Sequence, residues 1–521
     1  MRTTTTYPTL LAFLLALGFA FGPVGIADAE DEIRVDHSKI TFLMRQFQTA
    51  SEVTETCLMC HPEAGQEVMG TTHWTWEYTT QDGQKLGKKN VINNYCVAVS
   101  SNEPRCTSCH VGYGYKNNET HTAMDESKVD CLICHDRSGT YKKFPAGAGE
   151  PTYQEKVFPA GPGEPYGKVW SPVNLTAAAQ SVGLPTRKNC GACHFNGGGG
   201  PNVKHGDLDT SMNDPNFAVD VHMADEGLDF SCQSCHTTHK HQIAGSRYEM
   251  DLHGTTDLNS CRTCHANHKH KTVALDDHTD RIACQTCHIP VYAKERYVKT
   301  WWDWSTAGEL KDGEGDFEGR KVWIVRKDEN GNKTYMSPKG SFEWGKKMTP
   351  EYVWYNGNAT YITLDDTFDP NEIVAINSLH GDIDDPNALI FPVHSFYGMQ
   401  PYDAGANRLV VPNLFPTNPE TAYWKNWDWV KAIGAGQASV GREFSGEHGF
   451  AVTVMRWPLT HQVSPAEEAL TCVSCHSPNG VLDFEALGYS EERIASLMFC
   501  PTLESESADA EDVDAPDPTE G

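Results

Sequence analysis

The sequence predicts a mainly α-helical and irregular fold that carries a small β-hairpin insertion. Three observations predict it. Eight Cys-x-x-Cys-His motifs are spread along the chain, and seven of them are crowded between residues 57 and 288. The segments between these motifs contain many glycines and prolines, and their hydrophobic periodicity is too broken for long amphipathic helices. The segment 301–440 instead alternates aromatic and β-branched runs with turn signals, which is typical of small hairpins.

The eight motifs account for sixteen of the eighteen cysteines. Two thiols separated by two residues can form thioethers with the two vinyl groups of one haem, and the histidine that follows supplies the proximal imidazole of the iron. Zinc sites also use paired cysteines, but they need no histidine directly after each pair. The pattern therefore predicts a multihaem cytochrome c fold with a densely packed array of eight covalently bound haems c. The predicted attachment residues are Cys57, Cys60 and His61; Cys106, Cys109 and His110; Cys131, Cys134 and His135; Cys190, Cys193 and His194; Cys232, Cys235 and His236; Cys261, Cys264 and His265; Cys284, Cys287 and His288; and Cys472, Cys475 and His476.

A haem that only transfers electrons usually takes a second imidazole on the far side of its iron. His37 and His121 lie in polar, loop-like stretches and are expected to be ordinary surface histidines, whereas His239 and His268 each lie two residues from a candidate ligand and could replace it. Because eight irons need at most eight such ligands, at least one of the nine candidates is not a ligand. The candidates are His73, His205, His222, His241, His253, His270, His278, His394 and His461.

The first 29 residues have the features of a cleaved secretory signal peptide. Arg2 precedes an apolar run from Leu10 to Phe21, and the small-residue site Ala27-Asp28-Ala29 follows it. The apolar run is too short to span a bilayer. We therefore expect a periplasmic protein without stable membrane insertion. The formal charge of −28 also argues against nucleic acid as a partner, because a phosphate backbone is bound by clustered Lys and Arg.

The motif spacing predicts how the mature chain is divided. Residues 30–300 are expected to form a multihaem domain with haems 1 to 7, 301–440 a Trp-rich β insertion, 441–503 a C-terminal segment with haem 8, and 504–521 a disordered acidic tail. The aromatic side chains of the insertion are expected to pack a core rather than to act in chemistry. Its Asn-Gly turn signals, at 330–331 and 356–357, predict hairpins.

Two cysteines, Cys96 and Cys500, belong to no motif. Cys96 lies ten residues before Cys106, so its thiol is a candidate to act beside the second haem in sulfur chemistry, where thiolate exchange makes and breaks S–S bonds. The alternatives are an inert buried cysteine and a disulfide to Cys500. Local chemistry does not decide between them.

The sequence also resembles the octahaem tetrathionate reductase family, over nearly all of the chain from about residue 36 to residue 490. The signal peptide and the acidic tail fall outside the resemblance. The segments that carry it are Thr71–Trp76, Gly87–Cys96, Pro104–Gly114, Gly139–Pro145, Cys190–Gly200, Val203–Leu208 and Asp280–Pro290.

The resemblance implies seven bis-histidine haems and one catalytic haem, at the second motif, whose distal ligand is a lysine. Lys204 is the first choice for that lysine and Lys143 the second, while Arg105 and Lys143 are expected to supply local positive charge. Cys96 matches the cysteine that the family has at its active site. The implied activity is two-electron reduction of tetrathionate to thiosulfate, with nitrite and hydroxylamine as further substrates. The expected electron donor is a quinol-oxidising membrane cytochrome or a small soluble carrier.

Three other functions fit a chain with eight motifs. An enzyme like hydroxylamine oxidoreductase would use a tyrosine cross-linked to its catalytic haem, and no flanking motif identifies one here. An octahaem nitrite reductase would attach its catalytic haem through Cys-x-x-Cys-Lys, whereas all eight motifs here end in histidine. A non-catalytic electron carrier would have eight bis-histidine haems.

Overall fold

The computed structural model describes residues 35–92, 99–115, 125–158, 168–197, 200–254, 260–265, 270, 272–311, 322–415 and 418–498. The predicted signal peptide and acidic tail lie outside the described residues, and so do Cys96, Cys500, His121 and His268. Within the described part of the chain, no helix combines the length and the hydropathy that crossing a membrane requires.

The helices of the described residues are short. They are α1 (Ala50–Leu58), α2 (Ala64–Met69), α3 (Thr72–Thr75), α4 (Cys131–His135), α5 (Leu175–Gln180), α6 (Arg187–His194), α7 (Cys232–Cys235), α8 (Cys261–His265), α9 (Val273–His278), α10 (Cys284–His288), α11 (Tyr423–Asn426), α12 (Trp429–Ser439), α13 (Cys472–Cys475) and α14 (Glu491–Leu497). Single turns of 3-10 helix lie at His37–Lys39, Thr41–Leu43, Glu126–Lys128, Thr210–Asn213 and Ala466–Glu468.

Five helices (α4, α7, α8, α10 and α13) begin at the first cysteine of a motif, as the sequence predicts. One turn of helix places residues three and four apart on the same face, so both thiols and the histidine can meet one haem. The residue before the first cysteine caps several of these helices. Asp130 accepts a hydrogen bond from the backbone N–H of Ile133 at α4, and Thr471 forms a capping box with Ser474 at α13. The second motif differs, because Cys106–His110 lies in a series of turns.

The strands extend over much of the C-terminal half. They are β1 (Tyr78–Thr79), β2 (Lys85–Leu86), β3 (Lys156–Phe158), β4 (Lys168–Trp170), β5 (Thr238–His239), β6 (Gln242–Ile243), β7 (Val298–Asp303), β8 (Leu310–Lys311), β9 (Val322–Trp323), β10 (Val325–Lys327), β11 (Lys333–Met336), β12 (Gly340–Gly345), β13 (Glu351–Tyr355), β14 (Ala359–Tyr361), β15 (Val374–Ala375), β16 (Asn377–Leu379), β17 (Leu389–Asp403), β18 (Arg408–Leu409) and β19 (His448–Pro458).

Nine of these strands form one mixed sheet, so the expectation of a mainly helical chain with small hairpins underestimated the β structure. The strand order is β10-β11-β12-β7-β17-β19-β15, while β13 and β18 also pair with β17. Two pairings, β7 with β17 and β15 with β19, are parallel and join distant parts of the sequence. The sheet also extends beyond the predicted 301–440 insertion, since β19 belongs to it.

The two Asn-Gly signals had different outcomes. Asn330-Gly331 lies in the turn of the predicted hairpin, where β10 pairs with β11 and Gly331 has a φ of 81°. Asn356-Gly357 forms a turn but no hairpin, because β13 pairs with β17 and β14 pairs with β16. An Asn-Gly pair therefore predicts a turn. It does not predict which strands pair, because that depends on packing between distant parts of the chain.

The largest hydrophobic cluster packs on this sheet, which confirms that the aromatic side chains of the insertion form a core. Trp302 and Trp304 are stacked at 5.2 Å, and Tyr423 lies 3.9 Å from Trp429. A second cluster, which includes Trp74, Tyr113, Leu132 and Tyr141, surrounds the first and third motifs. The first and third motifs therefore lie at the border of the second cluster.

Candidate haem-binding array

Six of the eight motif histidines face a second histidine. Two imidazoles that bind one iron from opposite sides, each with a metal–nitrogen bond of about 2 Å, place their ring centroids about 6 Å apart. The six observed separations lie between 5.9 and 6.4 Å. The pairs, in motif order, are His61 with His37, His135 with His241, His194 with His73, His236 with His461, His265 with His222, and His476 with His278.

Hydrogen bonds at Nδ1 orient the proximal rings of three of these pairs. The Nδ1 atoms of His135, His236 and His476 lie 2.9, 3.0 and 2.9 Å from backbone carbonyl oxygens. An imidazole whose Nδ1 donates to a carbonyl keeps Nε2 as its unprotonated, metal-binding nitrogen. These bonds therefore fix both the tautomer and the direction of the ring.

Two distal rings are held by carboxylates instead. Nδ1 of His241 lies 2.8 Å from Oε2 of Glu67, and Nδ1 of His461 lies 3.3 Å from Oδ2 of Asp207. Burial lowers the pKa of His461, but the hydrogen bond and the charge of Asp207 more than offset this effect, so that the pKa is raised. Asp207 is itself buried and also accepts hydrogen bonds from the backbone N–H groups of Thr460 and His461.

His241 owes its position to a tight turn. The hairpin of β5 and β6 is closed by two residues, Lys240 and His241, with φ angles of 47° and 61°. Two consecutive left-handed residues are the requirement of a type I′ turn, which usually recruits Asn and Gly. A histidine in this conformation is unfavourable unless other contacts hold it, and the bond to Glu67 is such a contact.

Four of the predicted distal ligands belong to none of these six pairs, and their side chains contact other groups. His394 is fully buried on β17, and its Nδ1 lies 2.9 Å from the carbonyl oxygen of Lys204. Its Nε2 is buried without a hydrogen-bond partner among the described residues, which suits a metal ligand. The ring of His205 packs 4.3 Å from Trp457, Nε2 of His253 lies 3.0 Å from the carbonyl oxygen of Asn387, and His270 bonds Asp276.

The structure shows the surroundings of two histidines that the sequence analysis did not count among the candidate ligands, His37 and His239. His37, expected to be an ordinary surface residue, faces His61 at 6.4 Å, so that expectation was wrong. Its signal was weak because it lies in a single 3-10 turn that Asp36 caps. His239 is exposed on β5, whereas His241 faces His135, so these two are not exchanged.

Contacts between cysteines bring neighbouring motifs together. The thiols of neighbouring motifs lie close enough to shift the pKa of one another, in the first and third motifs, the second and fourth, the fourth and fifth, and the sixth and seventh. Electrostatic interactions between cysteines connect the third motif to the fourth, the fifth to the sixth and the seventh to the eighth. All eight motifs are therefore connected in one array, and the second joins it through the fourth.

The second motif has distinctive surroundings. His110 is fully buried, and its ring lies 5.2 Å from the rings of Trp74 and Trp76 and 4.9 Å from that of Tyr115. Nε2 of His110 lies 2.7 Å from the carbonyl oxygen of Trp74. Binding of iron through Nε2 therefore requires that this contact is exchanged for the metal.

Lys143 lies beside the second motif in a buried ion pair. Its Nζ is 3.0 Å from Oδ2 of Asp130 and also donates to the backbone oxygen of His110. Asp130 further accepts hydrogen bonds from the hydroxyls of Tyr113 and Tyr141 at 2.9 and 3.0 Å. The ammonium of Lys143 is thus already matched by a carboxylate.

Lys204, the other predicted lysine, is buried in the loop after α6. The neighbouring Val203 belongs to the same hydrophobic cluster as Leu86, Val91 and Ile92, and Ile92 is the last described residue before the segment that contains Cys96. The Lys204 loop and the described residues that precede the Cys96 segment therefore contribute to the same hydrophobic cluster.

Sequence reasoning missed one positive charge near the second motif. Nζ of Lys88 lies 5.2 Å from the centroid of Trp76, which contacts His110. A hydrogen bond from Cys193 lowers the pKa of Cys109, and the charges of Lys88 and Lys143 lower it further. Both lysines are therefore close enough to act on an anion at this motif. Arg105, predicted to join them, bonds the backbone of Pro145 at 3.3 Å.

The residues fit covalent haem. Each motif cysteine carries a thiol rather than a disulfide, most motifs lie on a helical turn, and six histidine pairs have the separation that an iron requires. Fold and site together define a cytochrome c of the multihaem class.

Comparisons with known proteins agree. The family model for bacterial cytochrome c matches residues 299–479. A crystal structure of octaheme cytochrome c from Shewanella oneidensis has a TM-score of 0.76 and 42% sequence identity, covering 89% of this chain and 98% of that one. An uncharacterized protein from Archaeoglobus fulgidus is 24% identical over 271 residues, 45% of this chain and 89% of that one. The chain belongs to the octahaem cytochromes c, haem-dependent redox proteins that bind haem c covalently.

Proposed function

We propose that this octahaem cytochrome is a periplasmic reductase that binds one haem at each of its eight motifs and reduces tetrathionate at the second. The observation that carries the proposal is what surrounds His110. Its buried ring is packed among Trp74, Trp76 and Tyr115, and Lys143 donates a hydrogen bond to its backbone oxygen. A site built differently from the electron-transfer sites is where chemistry is expected.

The reaction requires electrons and local positive charge. Haem iron supplies one-electron redox chemistry, and two electrons break the central S–S bond of tetrathionate to give two thiosulfate dianions, without a proton. The chain as a whole carries −28, so an anionic substrate needs a local cationic site. Lys88 and Lys143 both act electrostatically on Cys109 of the second motif, and because Lys143 is paired with Asp130, Lys88 is proposed to supply most of that charge.

Lys204 is the proposed amine ligand at this motif, because the ammonium of Lys143 is already paired with Asp130. Lys204 is buried, and its neighbour Val203 belongs to the same hydrophobic cluster as Val91 and Ile92, which precede the segment that contains Cys96. A lysine binds metal only when deprotonated, so on release from the iron it gains a proton and can pair with an anion. The thiolate of Cys96 is proposed to attack the central S–S bond, releasing one thiosulfate and keeping the other as a mixed disulfide. Two electrons from the haem array would then cleave that disulfide, releasing the second thiosulfate and restoring the thiolate.

Electron paramagnetic resonance of the oxidised protein tests this assignment. The Lys204→Met variant is expected to lose one low-spin signal and gain a high-spin signal, with eight haems still attached. The exposed Lys142→Met, which makes the same substitution on the surface, provides the control. Wild-type spectra in Lys204→Met would refute Lys204 as the ligand, and wild-type tetrathionate turnover would refute its role in the reaction.

A second candidate is a non-catalytic electron carrier, which the six facing histidine pairs favour. It predicts eight bis-histidine haems and no turnover of tetrathionate, nitrite or hydroxylamine with reduced viologen. Any substrate-dependent oxidation of viologen that requires His110 would exclude it. For either candidate, the proposed donor is a quinol-oxidising membrane cytochrome or a small soluble carrier, because transient redox encounters need only small interfaces.

A further inference from the structure

Within the six facing pairs, the distal histidines of the third and fifth motifs hydrogen-bond a carboxylate through Nδ1. In the sixth motif, Nδ1 of His222 lies 4.0 Å from Oδ1 of Asp220, beyond hydrogen-bonding distance. His270, which bonds Asp276, belongs to none of the six pairs. His241 bonds the carboxylate of Glu67 at 2.8 Å, and His461 bonds that of Asp207 at 3.3 Å. In contrast, the proximal rings of the same two pairs bond uncharged carbonyl oxygens, those of Gly183 and Ala244. The third and fifth motifs thus each combine one carbonyl-bonded and one carboxylate-bonded imidazole.

Both carboxylates are shielded from solvent, so their negative charges act strongly on the distal histidines that they bond. Glu67 projects from α2, and its side chain is only 22% exposed. The side chain of Asp207 is 3% exposed, and two backbone N–H groups share its Oδ2 with His461. Interactions of partly buried charges are screened much less by salt than those of surface charges.

A carboxylate that accepts the Nδ1 proton makes an imidazole more basic and thus a stronger donor to its metal. Stronger donation and a nearby negative charge both stabilise ferric iron relative to ferrous iron, so the reduction potential falls. We propose that Glu67 and Asp207 are positioning residues that make the third and fifth haems the low-potential members of the array. This inference rests on the proposed occupancy of those two motifs by haem.

The position of the third and fifth motifs in the array determines the direction in which their low potentials would drive electrons. The helix of the fourth motif, α6, contacts that of the third, α4, and the cysteines of the fourth motif interact electrostatically with those of the third, the fifth and the second. The two low-potential positions therefore flank the fourth motif, which connects the array to the second. One electron that passes from either flank to the fourth position moves downhill, and the next transfer carries it toward the second motif.

The eighth motif provides an internal comparison. Its two histidines, His476 and His278, both bond backbone carbonyl oxygens through Nδ1, those of Leu497 and Ala274. Neither bond brings a negative charge to the ligand. The eighth haem is accordingly expected to titrate above the third and fifth.

Reduction titrations followed by absorbance and by electron paramagnetic resonance test the proposal on the full-length protein. Glu67→Gln keeps the size and an acceptor oxygen but removes the charge. It is expected to shift one component of the titration to higher potential, with the other components unchanged. Asp207→Asn is expected to shift a different component, and Glu67→Asp to move the first one back toward the wild type. Glu329→Gln, an exposed change in the β10–β11 hairpin, removes the same charge far from any motif.

Haem content, measured first, separates this inference from the function on which it rests. If wild-type protein lacked haem at the third or fifth motif, the occupancy would be wrong and the inference would fall with it. If Glu67→Gln and Asp207→Asn retained eight haems and titrated like Glu329→Gln, the role of the carboxylates would be overturned while the occupancy stood. Equal shifts of all components would also overturn it, because they would report the net charge alone. If Glu67→Gln lost its haem, Asp207→Asn would decide by the same criteria.

Discussion

The ion pair of Lys143 and Asp130 allows a quantitative prediction. The two side chains are 6% and 0% exposed and lie 3.0 Å apart. Lys143→Met removes one partner and leaves a buried carboxylate without its counter-charge, which typically costs about 3 to 5 kcal/mol. Asp130 keeps hydrogen bonds from Tyr113, Tyr141 and the backbone of Ile133, so we expect the lower end, about 3 kcal/mol.

Urea unfolding followed by tryptophan fluorescence measures this cost, because haem quenches nearby tryptophans until the chain unfolds. A loss of about 3 kcal/mol corresponds to a change of roughly 100-fold in the unfolding equilibrium. Lys142→Met is the matched control, since its side chain is exposed and adjacent in sequence. Surface substitutions of this kind change stability by no more than about 0.5 kcal/mol.

The double variant Asp130→Asn/Lys143→Met identifies the cause of the loss. An asparagine at position 130 buries no charge, so the double variant should be more stable than Lys143→Met alone. If Lys143→Met unfolded at the same urea concentration as Lys142→Met, the ion pair would contribute nothing. If the double variant were less stable than Lys143→Met, the uncompensated carboxylate would not be the reason for the loss.

Three further predictions follow from other parts of the molecule. Cys96→Ser should lower tetrathionate turnover by at least about tenfold with all haems retained, and undiminished turnover would contradict a role for the thiol. His37→Ala should convert the first haem from low-spin to high-spin, seen by electron paramagnetic resonance, and an unchanged spectrum would show that His37 is not its ligand. Burial lowers the pKa of Lys294 from its usual value of 10.5 to about 8, so on a rise in pH the folded state releases this proton before the unfolded state does. The unfolding free energy of the wild type relative to Lys294→Gln should therefore rise between these pH values, and a constant or falling difference would contradict the shift.

The features that could be predicted from the sequence are local ones, which depend only on residues close together in the chain. A Cys-x-x-Cys-His motif specifies one helical turn by itself, and α4, α8 and α10 begin and end on their motifs. The Asn330-Gly331 turn also requires only local geometry, since glycine adopts the positive φ without cost. Both were predicted correctly because no distant residue is needed to form them.

The large sheet could not be predicted in this way. The parallel pairing of β7 with β17 joins strands that are far apart in sequence, and β19 returns from beyond α12 to pair along most of β17. Such pairings depend on which apolar faces meet in the folded chain, and periodicity reports only the face of a single strand. The turn signals correctly marked where the chain reverses and gave no information on the partners.

For the histidine pairs, too, residue spacing identified some of the partners but not those that depend on distant contacts. Spacing alone suggested nine ligands, and five of them, including His73 and His278, face a motif histidine. His37 was missed because a histidine in a short polar turn carries no local sign of its partner. His241 depends on a left-handed turn that its residue types do not favour and on a carboxylate from a distant helix.

The distribution of charge bears on how the proposed anionic substrate could bind. A protein with a net charge of −28 repels a dianion at long range, so binding depends on cations that lie within a Debye length of the site. Lys143 is largely matched by Asp130, which leaves Lys88, held over the ring of Trp76, to supply much of the remaining field at the second motif. Under the proposed function, Glu67 and Asp207 would favour the release of electrons toward this motif, and the lysines beside it would favour the binding of the anion that accepts them. Negative charge beside the third and fifth motifs favours electron release, and positive charge beside the second favours both the electron and the substrate that accepts it.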